Sequence, residues 1–279
     1  MKKRSTFLLT CLIFGYAFFY IPILSMMFFS FNNARLATVW GGFSTRWYEA
    51  LFRNKQILNA ALLSFEIAAI SATLATILGV LAGLALVRFT RFRGKTLFAG
   101  LVSAPLVMPE AITGLSMLLL FVFMEAIIGW PSGRGFTTIT IAHTTFALSY
   151  VAVVVQARLS SMDQSIEEAA MDLGSKPLQV LTDVTLPIIA PAIVSGWLLA
   201  FTLSLDDVVI ASFNTGPGAT TLPIYIWGKI KLGLTPDINA LATLMVLFVG
   251  IMITMAGIYM FRSERKRERE IQMAIAANK

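Results

Sequence analysis

A chain of 279 residues that is 57% hydrophobic and 13% charged, with a mean hydropathy of +0.78, carries more apolar surface than one water-soluble core can enclose. That excludes an ordinary soluble domain and makes lipid the main solvent. The net charge of +7 would suggest nucleic acid in a soluble protein, but here the basic residues cluster beside apolar runs, so no nucleic-acid partner is expected.

The basic start Met1-Lys2-Lys3-Arg4 leads into an apolar run to about Ser30, too long for a cleaved signal peptide and without a small-residue cleavage site, so it reads as a retained anchor. The single cysteine, Cys11, lies in this run and reads as a small buried hydrophobe; alone, it can form neither an intramolecular disulfide nor a Cys-based metal site. Ser44–Phe52 places Trp47, Leu51 and Phe52 on one face at helical spacing, which predicts a short interfacial helix. A bilayer core needs about 20 apolar residues per helix, and six runs meet that: 7–30, 60–87, 96–124, 136–157, 188–213 and 238–261. The expectation is an all-α membrane protein whose residues 1–279 form one transmembrane domain.

Within these runs, Gly79 and Gly83 form a small-xxx-small pair that admits a neighbouring helix. Pro105 and Pro109 should kink or unwind the third span. His143 beside Thr144 and Thr145 reads as a hydrogen-bonded packing residue, with no second metal ligand at helical spacing. With the N-terminus inside, only Arg35, Arg46, Arg53, Lys55, Arg134, Lys229 and Lys231 of the 22 basic residues lie outside. The clusters at Arg88–Lys95 and Arg262–Arg269 then face the cytoplasm as anchors against anionic lipid headgroups, and both termini are cytoplasmic.

The same orientation puts residues 158–187 in the cytoplasm. Ser165 and Glu168 have capping-box spacing, Gly174 can stop a helix, and Ser175 with Pro177 can start another, which predicts two short helices about a sharp turn. In this loop Glu168-Ala169-Ala170, then Gly174, then Val184-Thr185-Leu186-Pro187 resembles the EAA loop of ABC-importer permease subunits, with Val184 where isoleucine is usual. The resemblance implies a type I importer permease fold with coupling helices docked on a separate ATPase subunit, and Glu168, Ala169, Ala170, Gly174, Leu186 and Pro187 as ATPase-coupling residues. ATP and magnesium would sit on that partner. Gly94-Lys95-Thr96 is no phosphate loop, since Phe89 stands where its first glycine is required.

Acidic side chains at bilayer depth cost about 2.5–3.5 kcal/mol each on insertion scales, so they mark cavities or partners. Glu110 lies near the middle of the third span, Asp206 and Asp207 in the outer part of the fifth, and Glu66 near the outer end of the second. Ser195, Thr202 and Asp206 share one helical stripe, with Asp207 turned about 100° from it; a bond from one of the aspartates to neighbouring backbone or to a Lys/Arg of a partner chain is the alternative to a transport role. Several acids with almost no bases inside the spans favour a cationic solute. Ala104–Gly114, Ile166–Gly174, Phe201–Asp207, Thr215-Gly216-Pro217-Gly218 and Thr221-Leu222-Pro223 resemble the spermidine/putrescine permeases over nearly the whole chain.

That resemblance implies a bacterial inner-membrane, multi-pass permease of a polyamine importer, not an enzyme, with Glu110, Asp206 and Asp207 along the substrate path. It implies three kinds of partner: a second homologous permease in a heterodimer, two ATPase subunits and a periplasmic polyamine-binding protein. A permease for another solute (an amino acid, sulfate or ferric iron) is the nearest alternative, though an oxyanion would call for bases in the path. An intramembrane hydrolase is a more distant one, since no Ser/His/Asp arrangement with a strained G-x-S-x-G turn occurs; a passive channel stands beside it.

Overall fold

The computed structural model describes residues 6–35, 39–89, 91–232 and 236–277. The basic start Met1–Arg4 lies outside them, as do the side chains of Lys266, Arg267 and Arg269 in the basic tail. The chain forms α1 (Thr6–Phe29), α2 (Arg46–Arg53), α3 (Lys55–Arg88), α4 (Lys95–Val107), α5 (Glu110–Ile128), α6 (Phe136–Ser160), α7 (Ser165–Asp172), α8 (Pro177–Val180), a π turn (Leu181–Thr185), α9 (Leu186–Asp206), α10 (Val209–Asn214), α11 (Leu222–Leu232) and α12 (Pro236–Ala277). Six helical stretches among the described residues are long and apolar enough to cross a membrane. No β-strand occurs among them; one isolated bridge joins Asn32 and Phe43.

Two compact units emerge, one of residues up to Asn59 with Ile226–Met252, the other of Ala60–Tyr225 with the chain from Ile253 onward. In the first, α1 buries none of its residues, so Cys11 is exposed rather than packed away. Its exposed Phe7, Phe14 and Phe18 are what lipid would solvate. The loop after α1 is organised by Asn32. Its carbonyl accepts the Trp47 indole N–H at 2.7 Å, and its side chain bonds Val39 O and the Gly41 N–H. Leu51 of α2 is buried while Phe52 is 62% exposed, so the two do not share the single face expected of them; one residue turns the helix by about 100°.

In the second unit α6 is the central rod. Its buried face carries Ile139, Ala142, Ala147, Val151 and Val155, and α3, α4 and α9 pack around it. Glycine makes these approaches possible. A Cβ on Gly79 would stand 2.7 Å from Val151 Cβ and 3.1 Å from the Ala152 nitrogen, and one on Gly196 of α9 would meet Val151 from another direction at 3.1 Å. Gly79→Leu is therefore expected to cost about 1–3 kcal/mol through overpacking and to lower the melting temperature in detergent. The control is Gly100→Ala on α4, where a Cβ meets nothing within 4 Å and helix propensity predicts a neutral or slightly favourable change.

Four boundaries depart from the sequence expectation. The third span is divided: α4 ends at Val107, Met108 turns extended at ψ 136°, and α5 begins at Glu110. Pro109 causes this, because it lacks an N–H and disfavours helical backbone in the residue before it. Pro105 stays inside α4. The helix long enough to cross is thus Glu110–Ile128, which moves Glu110 from mid-span to a helix start. The fifth span ends at Asp206, seven residues before the expected 213. The predicted second short helix of the loop is not separate, since α8, the π turn and α9 run on as one rod from Pro177 to Asp206. Finally α12 continues past 261 to Ala277.

Candidate transport path and coupling site

The end of α9 places two adjacent carboxylates in different surroundings. Asp206 is the last helical residue and is exposed; Asp207 leaves the helix at ψ 126° and is 8% exposed. The 100° offset inferred for a continuous helix therefore does not describe Asp207. Its Oδ1 accepts the Ile210 N–H at 3.2 Å and its Oδ2 the Ala211 N–H at 2.7 Å, which begins α10. Oδ2 also lies 3.1 Å from His143 Nε2, and His143 Nδ1 lies 2.7 Å from Ser204 Oγ.

With a carboxylate as acceptor, Nε2 carries the proton and Nδ1 accepts from Ser204, an assignment made from the bonding network. Ser204 Oγ is also 3.0 Å from Ser71 Oγ of α3. One chain of polar contacts thus fastens α3, α6, α9 and α10 together, in apolar surroundings where an unmet partner would be costly. His143 is a hydrogen-bonded packing residue here, as its sequence context suggests, and among the described residues no group of His, Cys, Asp and Glu could hold a metal ion. α10 is held further by Asn214, whose side chain donates to Gly114 O of α5 at 3.4 Å and whose carbonyl accepts Thr138 Oγ1 of α6 at 2.8 Å.

Asp206 is held differently. It accepts no cap of its own in α10, and Glu110 is close enough to act on it electrostatically. The helix break at Pro109 and the one at Asp207 therefore bring two exposed carboxylates into one neighbourhood, with Glu110 in the first turn of α5, where the helix dipole favours an anion. Glu66 is exposed on α3. Ser195 and Thr202, the rest of the expected polar stripe, bond their own helix through Pro191 O and Leu198 O. They line a cavity of about 330 Å³ with Ile253, Ala256, Gly257 and Met260 of α12.

At the opposite end of α9 lies the 158–187 loop. The N-cap of α7 is Gln164 rather than Ser165, and the Ser165 N–H bonds Asp163 Oδ1 at 3.0 Å. That bond, followed by the Ser165 hydroxyl, holds the exposed Asp163 carboxyl below its usual range. α7 ends in a Schellman turn: Ser175 N–H reaches Ala170 O, Gly174 N–H reaches Met171 O, and Gly174 takes φ +90°, a conformation glycine adopts without strain. Glu168 and Ala169 are exposed, and Ala170 is half-buried. Leu186 opens α9 with Pro187 in its first turn. Ile166, Met171, Leu173 (89% exposed) and Leu178 stand out around them, an apolar surface on an otherwise polar loop of the kind that marks a protein contact.

Sequence reasoning did not single out Glu167, yet it is the neighbour that turns inward, with Oε2 2.8 Å from Arg88 Nε and Oε1 accepting Thr185 Oγ1 at 2.6 Å. A loop residue of α7 is thereby bonded to the end of α3. The only trace in the sequence is the doubled Glu167-Glu168, of which helical spacing must turn one from the other.

Comparison with known proteins agrees with this architecture. The family model for the binding-protein-dependent transport system inner membrane component matches residues 75–269. The chain is 55% identical over 271 residues to the putrescine transport system permease protein PotI of Escherichia coli (strain K12), covering 97% of this chain and 96% of that one. It is 44% identical over 231 residues to the spermidine/putrescine transport system permease protein PotC of Haemophilus influenzae, covering 83% and 87%. Among solved structures, a bacterial ABC transporter that imports the acidic polysaccharide alginate aligns with a TM-score of 0.69 at 16% identity over 93% of this chain and 94% of that one. A methionine ABC transporter, MetNI, aligns at 0.59 with 20% identity, over 75% and 97%. At such identities the likeness concerns the fold, which is that of type I importer permeases. The chain is a multi-pass inner-membrane protein and belongs to the family of binding-protein-dependent transport system inner membrane components.

Proposed function

We propose that this chain forms half of the membrane path of an ATP-driven polyamine importer, with putrescine or spermidine as solute and Glu110 and Asp206 as the anions that the solute passes. The observation that carries the substrate is that these two carboxylates are both exposed at helix breaks and lie close enough for Glu110 to act electrostatically on Asp206. A flexible di- or polyammonium chain is matched by spaced anions, whereas an oxyanion needs bases or helix N-termini free of acid. The PotI relative is a putrescine permease and the PotC relative a spermidine/putrescine permease, which supports the same solute. The fold does not choose it, since the alginate importer shares the fold and carries an acidic cargo. Asp207 has the separate task of holding the helix break that presents Asp206.

In this reading all 279 residues serve as one permease domain, both termini are cytoplasmic, and residues 158–187 face the ATPase. ATP and magnesium are held by two ATPase subunits, a second homologous permease supplies the other half of the path, and a periplasmic polyamine-binding protein delivers the solute. Glu168, Ala169, Ala170 and the apolar residues beside them dock on the ATPase, Gly174 sets the turn, and Leu186-Pro187 begins the rod that leads to Asp206. The test is ATP hydrolysis by the reconstituted complex with its binding protein against putrescine, spermidine, arginine and sulfate. Stimulation by one or both polyamines is expected; stimulation by sulfate or arginine alone would overturn the proposal.

A further inference from the structure

The carboxylate of Glu167 gathers three rods at one point. Its Oε2 meets Arg88 Nε in the last turn of α3, and its Oε1 accepts the hydroxyl of Thr185, the residue that closes the π turn below α9. Arg88 in turn donates Nη1 to Leu159 O in the last turn of α6 at 3.4 Å. The Arg88 and Glu167 side chains are only 16% and 14% exposed, so solvent screens this pair less than it screens a surface ion pair. Thr185 is 2% exposed. A π turn is a rare element that tends to mark functional positions, and this one lies inside the continuous rod between α8 and α9 with its final side chain held by Glu167.

We propose that Glu167, Arg88 and Thr185 form a brace that carries displacement of α7 into α3, α6 and α9, which makes Glu167 and Arg88 positioning residues of the coupling step. The inference rests on the reading of 158–187 as the ATPase-facing loop. The two neighbouring glutamates then divide the work: Glu168 faces outward to the docking surface, and Glu167 faces inward to the rods. A push on the outward face of α7 without the brace would be absorbed by rotation about Gly174 and the 161–164 turn. With it, the push moves helix ends that continue into the region of Asp206.

The experiment compares Glu167→Gln, Arg88→Gln, Thr185→Val and the exchange Glu167→Arg/Arg88→Glu in the full complex, reconstituted in proteoliposomes, by putrescine taken up per ATP hydrolysed. The ion-pair variants should keep the ATPase bound and hydrolysing while uptake per ATP falls about tenfold. Thr185→Val, which keeps the ion pair and guards against a folding defect in the others, should fall about threefold. The exchange should recover several-fold over either single change. Unchanged uptake per ATP in both ion-pair variants overturns the brace, as does an exchange no better than its worse parent. Docking is read separately: cross-linking of Leu173→Cys to the ATPase in the otherwise unaltered complex supports the loop reading, and absence of the cross-link removes that reading rather than the brace alone.

Discussion

Alanine in place of Asp207 is expected to prevent stable assembly of the chain, with a loss of about 3 kcal/mol or more, since it leaves several buried donors unsatisfied at about 1–3 kcal/mol each. The carboxylate accepts from the Ile210 and Ala211 N–H groups and from His143 Nε2, and each donor would be left without it in an apolar interior. Ser204 and Ser71 continue that chain into α9 and α3, so the loss is shared by four helices. Asp207→Asn keeps one acceptor oxygen and should fall between the two. The measurement is the amount of monodisperse protein recovered from membranes and its melting temperature. An alanine variant as abundant and as stable as the parent would show that the network contributes little.

That expectation sets Asp207 apart from Asp206, a distinction the sequence could not supply. Hydropathy fixes the number of spans because about 20 apolar residues have no alternative solvent, and all six expected runs overlap the six stretches among the described residues that are long and apolar enough to cross. The loop between α6 and α9 was legible from Glu168-Ala169-Ala170 and Gly174, and the positive φ of Gly174 is the turn that spacing suggested. The helix break at Pro109 was anticipated in kind, since proline lacks the donor, yet its consequence for Glu110 depended on where α4 stopped.

What stayed hidden depends on partners distant in sequence. Asp207 and His143 meet only because α6 and α9 pack through Gly196 and Val151, and nothing near Asp207 in the chain announces that contact. Nor does anything near Arg88 indicate that its partner is Glu167 rather than Glu168. Cys11 shows the opposite case: its apolar setting suggests burial, but α1 presents its apolar surface outward. In a membrane chain an apolar neighbourhood does not distinguish core from lipid face.

The second large effect concerns the path itself. Asp206 has no bond to α10 comparable with those of Asp207, and Glu110 lies in its field across a helix break, so neutralising either should leave packing nearly intact while removing an anion from the path. Loss of one charge–charge contact of about 1.5–3 kcal/mol corresponds to roughly ten- to a hundredfold in solute binding. Sulfate and other anions should gain nothing from the change beyond reduced repulsion. The decisive measurement is putrescine uptake into proteoliposomes by the assembled complex carrying Asp206→Asn, Glu110→Gln or both, at matched ATPase content. Each single change should lower uptake at least about tenfold, with the assembled complex recovered in full. Uptake at the parent rate in the double variant would contradict a path lined by these two carboxylates.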